Sequence, residues 1–162
     1  MTTNSRLEQI AQRMADAGEK TVAFFRALPP EKLTAQIYTD GSAWNIKQIL
    51  YHLVDAERRM RWVVTDVLAG GDGAPEDYDL NTDNEQRVAK MNDEWTLDKL
   101  LDAFTEARKT TLAAIASVSD SDLDRMGRHP VLGMRPLAEL IKVIYLHNKM
   151  HQREILDAFE KA

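Results

Sequence analysis

Apolar residues return every three to four positions along four long stretches of the chain, with polar residues between them. In the first, Leu7, Ile10, Met14, Ala17, Val22 and Phe25 fall roughly on a helical period and predict a helix from about Ser5 to Leu28. The run LPPEKL stops it, because proline removes a backbone donor and biases the preceding residue away from helix. A polar connection, TAQIYTDGSA, leads to a second helix that begins near SAWNIKQ and continues to about Leu68. Asn45 with Gln48 three positions on suits a capping box, with Ser42 as a rival cap. The glycine-rich AGGDGAPEDYD ends this helix. It matches neither phosphate-loop pattern and reads as a mobile connection.

A third helix starts near Asn81, breaks at NDEWT, where Thr96 serves as a fresh N-cap, and resumes through LDKLLDAFTEARKTTLAAIASV. SDSDLDRM reads as one short helical turn and GRHPVLGMRP as a loop. Pro136 suits the first turn of a last helix that reaches about Phe159. No strand pattern and no internal repeat stand out. Long amphipathic helices without alternating strands predict an all-α fold: a four-helix bundle, one domain over residues 1–162. The connection between helices two and three is long enough to cross the end of the bundle.

Composition narrows the chemistry. Apolar residues make up 44% and charged residues 29%, ordinary for a globular chain with one sizeable core. A formal charge of −5 argues against nucleic acid as a partner, since phosphate binding needs a basic surface. No run is long and apolar enough to span a membrane, and MTTNSRLEQIAQRM has no apolar signal core, so a cytoplasmic location is expected. The chain has no cysteine. Disulfides, thiolate nucleophiles and thiolate metal sites are therefore absent together, and a bound metal must be held by imidazole and carboxylate. Any thiol chemistry must use a thiol brought from outside.

The candidate chemistry lies in the histidines. His147 and His151 form an i, i+4 pair on one face of the last helix. At 100° per residue, Leu140, Ile144, Ile155 and Ala158 fall within about 80° of His147, so both imidazoles face the bundle interior. Glu154 lies three residues past His151 on the same side. His52, in LYHLVDAERRM of helix two, shares its side with Ala56 and Val63 and also points inward. Asp55 sits one turn on, toward the polar edge. Glu57 lies in the apolar arc among Leu53, Met60, Val64 and Leu68, and a carboxylate there needs a partner: Arg87, Arg108 or Arg153. His129, in GRHPV, reads as a surface or loop-packing residue. Trp44 is placed at the entrance of helix two, while Trp62 and Trp95 read as core packing before pocket or interface.

Two readings of the inward histidines stay open on these grounds. They are satisfied core residues, or three neutral imidazoles that hold a divalent ion with one position free. Other constellations fail. Asn148 follows His147, so HExxH is absent. No Glu stands three residues before a His, which removes the Glu-x-x-His pattern of di-iron bundles, and no GxSxG occurs.

The order of these motifs resembles the DinB/YfiT-like superfamily of metal-dependent enzymes. DGSAWNIKQILYHLVDAERRM is similar to the family's tryptophan at the mouth of helix two followed by HL and an acidic residue. GMRPLAELI and LHNKMHQREIL are similar to its last helix with a terminal HxxxH. The resemblance covers nearly the whole chain. It implies a four-helix bundle with an unusual connection between its second and third helices, and His52, His147 and His151 as ligands of zinc, nickel or another divalent ion. It implies an enzyme acting on a small molecule: an S-transferase using a low-molecular-weight thiol as co-substrate, or a hydrolase. It also implies a homodimer. A non-catalytic protein that sequesters a small molecule in the same pocket is the alternative from another class. Glu154 departs from the family, whose members often carry glutamine there. Glu154 and Asp55 are the candidates to orient an imidazole N–H or to accept a proton.

Overall fold

The computed structural model describes residues 5–37 and 42–162. Five helices carry the fold: α1 (Arg6–Ala27), α2 (Ile46–Leu68), α3 (Leu80–Val88), α4 (Leu97–Ile115) and α5 (Leu137–Glu160). Short 3-10 turns lie at Pro30–Lys32 and Asp122–Asp124, the second where SDSDLDRM predicts a turn. Of the polar connection 34–43, residues 38–41 lie outside the described residues.

Each long helix starts where its side chains can replace missing backbone partners. Ser5 and Glu8 form a capping box on α1, and Asn45 and Gln48 form one on α2. The rival cap Ser42 instead donates its hydroxyl to Glu85. Thr96 caps α4, which confirms the break in the third helical stretch. Pro136 does not occupy the first turn of the last helix. It stands just before α5, as the final residue of a strand.

The buried apolar residues fall into two clusters, one at each end of the bundle. One collects Ile10 and Met14 from the start of α1, Val63 and Val67 from the end of α2, Ile115 from the end of α4 and Ile141 from the start of α5. The other collects Phe25, Ile49, Leu53, Leu100, Phe104 and Ile155 from the opposite ends of the same four helices. So α1 and α5 run one way, and α2 and α4 run the other. The packed pairs are α1 with α4 and α5, and α2 with α4 and α5. Helices α2 and α4 are therefore parallel neighbours. The chain between them, residues 69–96, must return the full length of the bundle, and α3 lies on that return. This is the long crossover expected between the second and third bundle helices.

A buried polar layer divides the two clusters. The fork of Arg108 on α4 meets Glu57 on α2 at 2.8 and 2.9 Å, and also donates to the Met14 carbonyl and to Asn148 Oδ1. Arg108 is thus the partner of Glu57, whereas Arg153 is exposed and Arg87 serves another cluster. One residue from each bundle helix enters this layer. Gly18 on α1 leaves room for it: a Cβ there would stand 3.1 Å from Cγ of Arg108.

Two expectations are overturned between the helices. GRHPVLGMRP belongs to an antiparallel hairpin, β1 (Met126–His129) with β2 (Gly133–Pro136). Strands of four residues containing glycine and proline carry too little alternation to be read as strands. The glycine-rich connection is not a free tether either. The backbone at Gly73 pairs with Arg128 in a parallel bridge, with Arg128 N–H donating to Asp72 O at 2.7 Å and Ala74 N–H to Arg128 O at 2.9 Å. Gly73 has a φ of +86°, and a Cβ on it would lie 2.8 Å from the Arg128 carbonyl oxygen, so glycine is required. The hairpin and this connection together close one side of the groove between α2 and α5. Among the described residues, no helix is long and apolar enough to cross a membrane.

Candidate metal centre

His52 lies two turns inside α2, positioned by the capping box that fixes where that helix begins. His147 and His151 lie on α5, which runs antiparallel to α2 and packs against it. The three imidazoles meet in the groove between these helices. His147 Nε2 stands 2.9 Å from His151 Nε2 and 3.3 Å from His52 Nε2. The rings pack edge to face, with centroids 4.5 to 5.2 Å apart. Nitrogen atoms of all three lie within 4.8 Å of one another. His52 and His151 are buried, while His147 is partly open.

The other side of each ring shows how the triad is held. His151 Nδ1 is 2.9 Å from Glu154 Oε2, so Nδ1 carries the proton and the Nε2 lone pair is turned toward the other two rings. His52 packs on Trp44, ring centroids 4.9 Å apart, and its buried Nδ1 has no hydrogen-bond partner among the described residues. Packing, not a second hydrogen bond, sets the orientation of that ring.

Burial pushes the pKa of His52 down to about 3, assisted by the charges of His151 and Arg59. Burial likewise holds His147 well below its ordinary value, with His151, His52, Arg59 and His129 adding to the effect. Both rings are therefore neutral at pH 7, with lone pairs available to a cation. The spacing fits as well. Two nitrogens at about 2.0–2.1 Å from one ion stand about 3.3–3.4 Å apart at a tetrahedral angle and about 2.9 Å apart at a right angle. The two Nε2 separations are of that size. The donor set is thus a candidate divalent-metal site, with Glu154 beside it as an orienting carboxylate.

Asp55 lies elsewhere. Its carboxylate accepts from Arg59 Nε at 2.7 Å and from Arg87 Nη1 at 3.2 Å. Both arginines also bond Asp83 on α3, Tyr78 donates to the same carboxylate, and Arg59 Nη2 reaches Asn84 Oδ1 at 2.7 Å. Asp55 therefore anchors the crossover helix to α2 and positions Arg59. The i, i+4 spacing of Asp55 and Arg59 was present in the sequence, but their partners come from a segment 19 to 32 residues away, which spacing alone does not reveal.

The triad opens onto a cavity of about 970 Å³ lined by α2, α5, the crossover and the hairpin. Arg59, Arg87 and Glu154 supply its charged lining, and Trp44 and Trp62 its indoles. Trp62 is not a core residue: it is 54% exposed at the cavity. Trp95 packs edge to face with Tyr51 beside the second apolar cluster. His129 does more than fill a loop. Its Nδ1 accepts the backbone N–H groups of Val131 and Leu132, both at 3.1 Å, and the ring lines the same cavity as the triad.

Comparison with known proteins bears on the fold and the family. No curated protein sequence matches the chain. Among solved structures, YfiT from Bacillus subtilis, described as a probable metal-dependent hydrolase with an unusual four-helix bundle topology, superposes with a TM-score of 0.75 at 17% identity. The match covers 99% of this chain and 90% of that one. A mycothiol-dependent maleylpyruvate isomerase matches at TM-score 0.71 and 9% identity, over 94% of this chain but only 63% of the isomerase. An uncharacterised protein from Clostridium difficile 630 matches at TM-score 0.70 and 15% identity over 99% of this chain and 98% of its own. At these identities the likeness is one of fold. The sequence model of the DinB superfamily matches residues 13–155, which takes in all three histidines, and the chain belongs to the DinB superfamily.

Proposed function

We propose that this protein is a metal-dependent enzyme that activates a low-molecular-weight thiol and transfers it to an electrophilic small molecule. The observation that carries the reading is the convergence of three imidazole Nε2 atoms at the wall of a large cavity, in a chain without cysteine. His52, His147 and His151 would hold the ion, and imidazole ligands suit zinc or nickel. When bound, a divalent ion on three neutral ligands keeps its full charge and supplies the electrostatic stabilisation that makes a thiol or a water ionise near neutral pH.

The chain's own residues supply the rest. Glu154 holds the tautomer of His151. Trp44 fixes the ring plane of His52. Arg59, tied to Asp55, Asp83 and Asn84, brings a fixed positive charge to the triad side of the cavity, where it favours a thiolate over a thiol. The largely apolar wall keeps bulk water from competing with the incoming electrophile.

The experiment is metal analysis of protein made without a histidine tag, followed by thiol-consumption assays. About one equivalent of zinc or nickel, and conjugation of at least one cellular thiol to members of an electrophile panel, are expected. A loaded protein that conjugates no thiol sinks the transferase reading. Metal-dependent hydrolysis is the second reading. The same open face admits water, and the B. subtilis fold neighbour is described as a probable metal-dependent hydrolase. Ester or amide cleavage by the loaded protein without added thiol would select it. Stoichiometric binding without turnover would select a sequestering protein.

A further inference from the structure

The polarity of the cavity runs in one direction, and that direction describes a ligand. Most of its polar groups gather toward one end: the triad, Glu154, and Arg87, which bonds Asp55 one turn from His52; Arg59 lies two turns along α2 beside Met60, and His129 lines the hairpin side. Moving away from the triad along α5, the lining becomes Val143 and Leu140. Along α2 it becomes Met60 and Val63, and the far wall is completed by Ala74 and Pro75 of the crossover. His52 to Val63 spans about 16 Å of helix and His147 to Leu140 about 10 Å, so the apolar compartment is deep. Its outer edge carries Trp62, Val131, Leu132, Leu146 and Met150, all at least 41% exposed.

Charge is asymmetric at the polar end. The aspartates that neutralise the two arginines do not line the cavity, whereas both arginines do. Arg87 spends Nε on Asp83 and Nη1 on Asp55, and Nη2 bonds no described residue. A guanidinium edge with a donor that no described residue takes, beside an apolar compartment, is complementary to one oxyanion joined to an apolar body.

We propose that the substrate is an elongated amphipathic monoanion: an aliphatic or aromatic body seated between α2, α5 and the crossover, with a carboxylate or similar oxyanion on Arg87. The reactive carbon then lies near the oxyanion, at the triad end. This deepens the preceding reading by naming the class of its electrophile, and rests on it for any chemistry. The binding claim is separable.

The test titrates n-alkanoates from butanoate to dodecanoate, and n-alkanols of equal length, into the protein by calorimetry. Alkanoates should tighten roughly three- to fourfold per methylene until the compartment is full. They should bind at least tenfold more tightly than the matching alkanols. Arg87→Gln should remove most of that advantage while leaving the chain-length slope, and Val143→Trp should lower the length at which affinity stops rising. A flat chain-length series, alkanoates no tighter than alkanols, or an advantage that survives Arg87→Gln would each overturn the proposal. The series is repeated after dialysis against a chelator, with metal content measured on both samples. The slope and the Arg87 effect should persist without metal. A protein that takes up no metal therefore defeats the enzymatic reading without touching this result, and the reverse also holds.

Discussion

Glu154 Oε2 lies 2.9 Å from His151 Nδ1, on the side of the ring opposite the triad. A carboxylate there fixes the tautomer and aims Nε2 at the other two rings. Glu154→Ala should weaken zinc or nickel binding about 10- to 100-fold, the usual cost of losing a partner behind a ligand. Glu154→Gln should lose less, because its amide oxygen still accepts the N–H. Competition with a chromophoric chelator measures both. Equal affinity for Glu154→Ala and the wild type would show that this carboxylate does not serve the ion.

The buried fork of Arg108 on Glu57 makes a different claim, one about stability. Removing Glu57 leaves a guanidinium in the interior with Asn148 and a carbonyl as its remaining partners. Glu57→Ala should cost about 3–5 kcal/mol, whereas the double variant Glu57→Leu with Arg108→Met should cost much less, because it buries no unpaired charge. Urea denaturation of the two variants distinguishes these outcomes. Similar losses in both would show that packing volume, not charge, dominates the layer.

Helical phasing made much of this legible. It placed His52, His147 and His151 inward on two helices, and a carboxylate as far inside an apolar arc as Glu57 had to find an arginine. Its limits have physical causes. Three arginines were eligible for Glu57, all on helices that touch α2, and only the packed interior selects Arg108: it is buried against Glu57, while Arg153 is exposed and Arg87 is held by Asp55 and Asp83. The hairpin escaped because four-residue strands have no measurable period. His129 reaches the cavity from the hairpin and Arg59 is held there by α3, and a single helical projection contains neither.

Stability should depend on pH through the triad when no metal is bound. The folded-state pKa of His52 is depressed to about 3 against an ordinary 6.5. Above pH 6.5 the ring is neutral in both states and its contribution is full. As pH falls below 6.5 the unfolded chain takes up a proton that the folded chain refuses, so stability drops until about pH 3. For His52 alone the loss at pH 5 is about 2 kcal/mol. Urea midpoints of chelator-treated protein at pH 7.5 and pH 5 should show it, and His52→Gln should reduce the difference. A pH-independent midpoint in the wild type would place the imidazole in a far wetter setting than the structure does.

Gly73 holds the crossover against the hairpin, and with it one wall of the cavity. Its φ of +86° disfavours any side chain, and a Cβ would stand 2.8 Å from the carbonyl oxygen of Arg128 and 2.9 Å from its nitrogen. Those contacts are backbone, so no rotamer change can relieve them. Gly73→Ala should therefore break the bridge to β1 and release Ala74 from the cavity wall. The triad rests on α2 and α5, which do not depend on that bridge. Metal binding should consequently survive in Gly73→Ala while the affinity for long-chain alkanoates falls, and amide exchange at Ala74 and Arg128 should accelerate. If metal and alkanoate binding fell together, the hairpin would be part of what positions the histidines rather than a wall beside them.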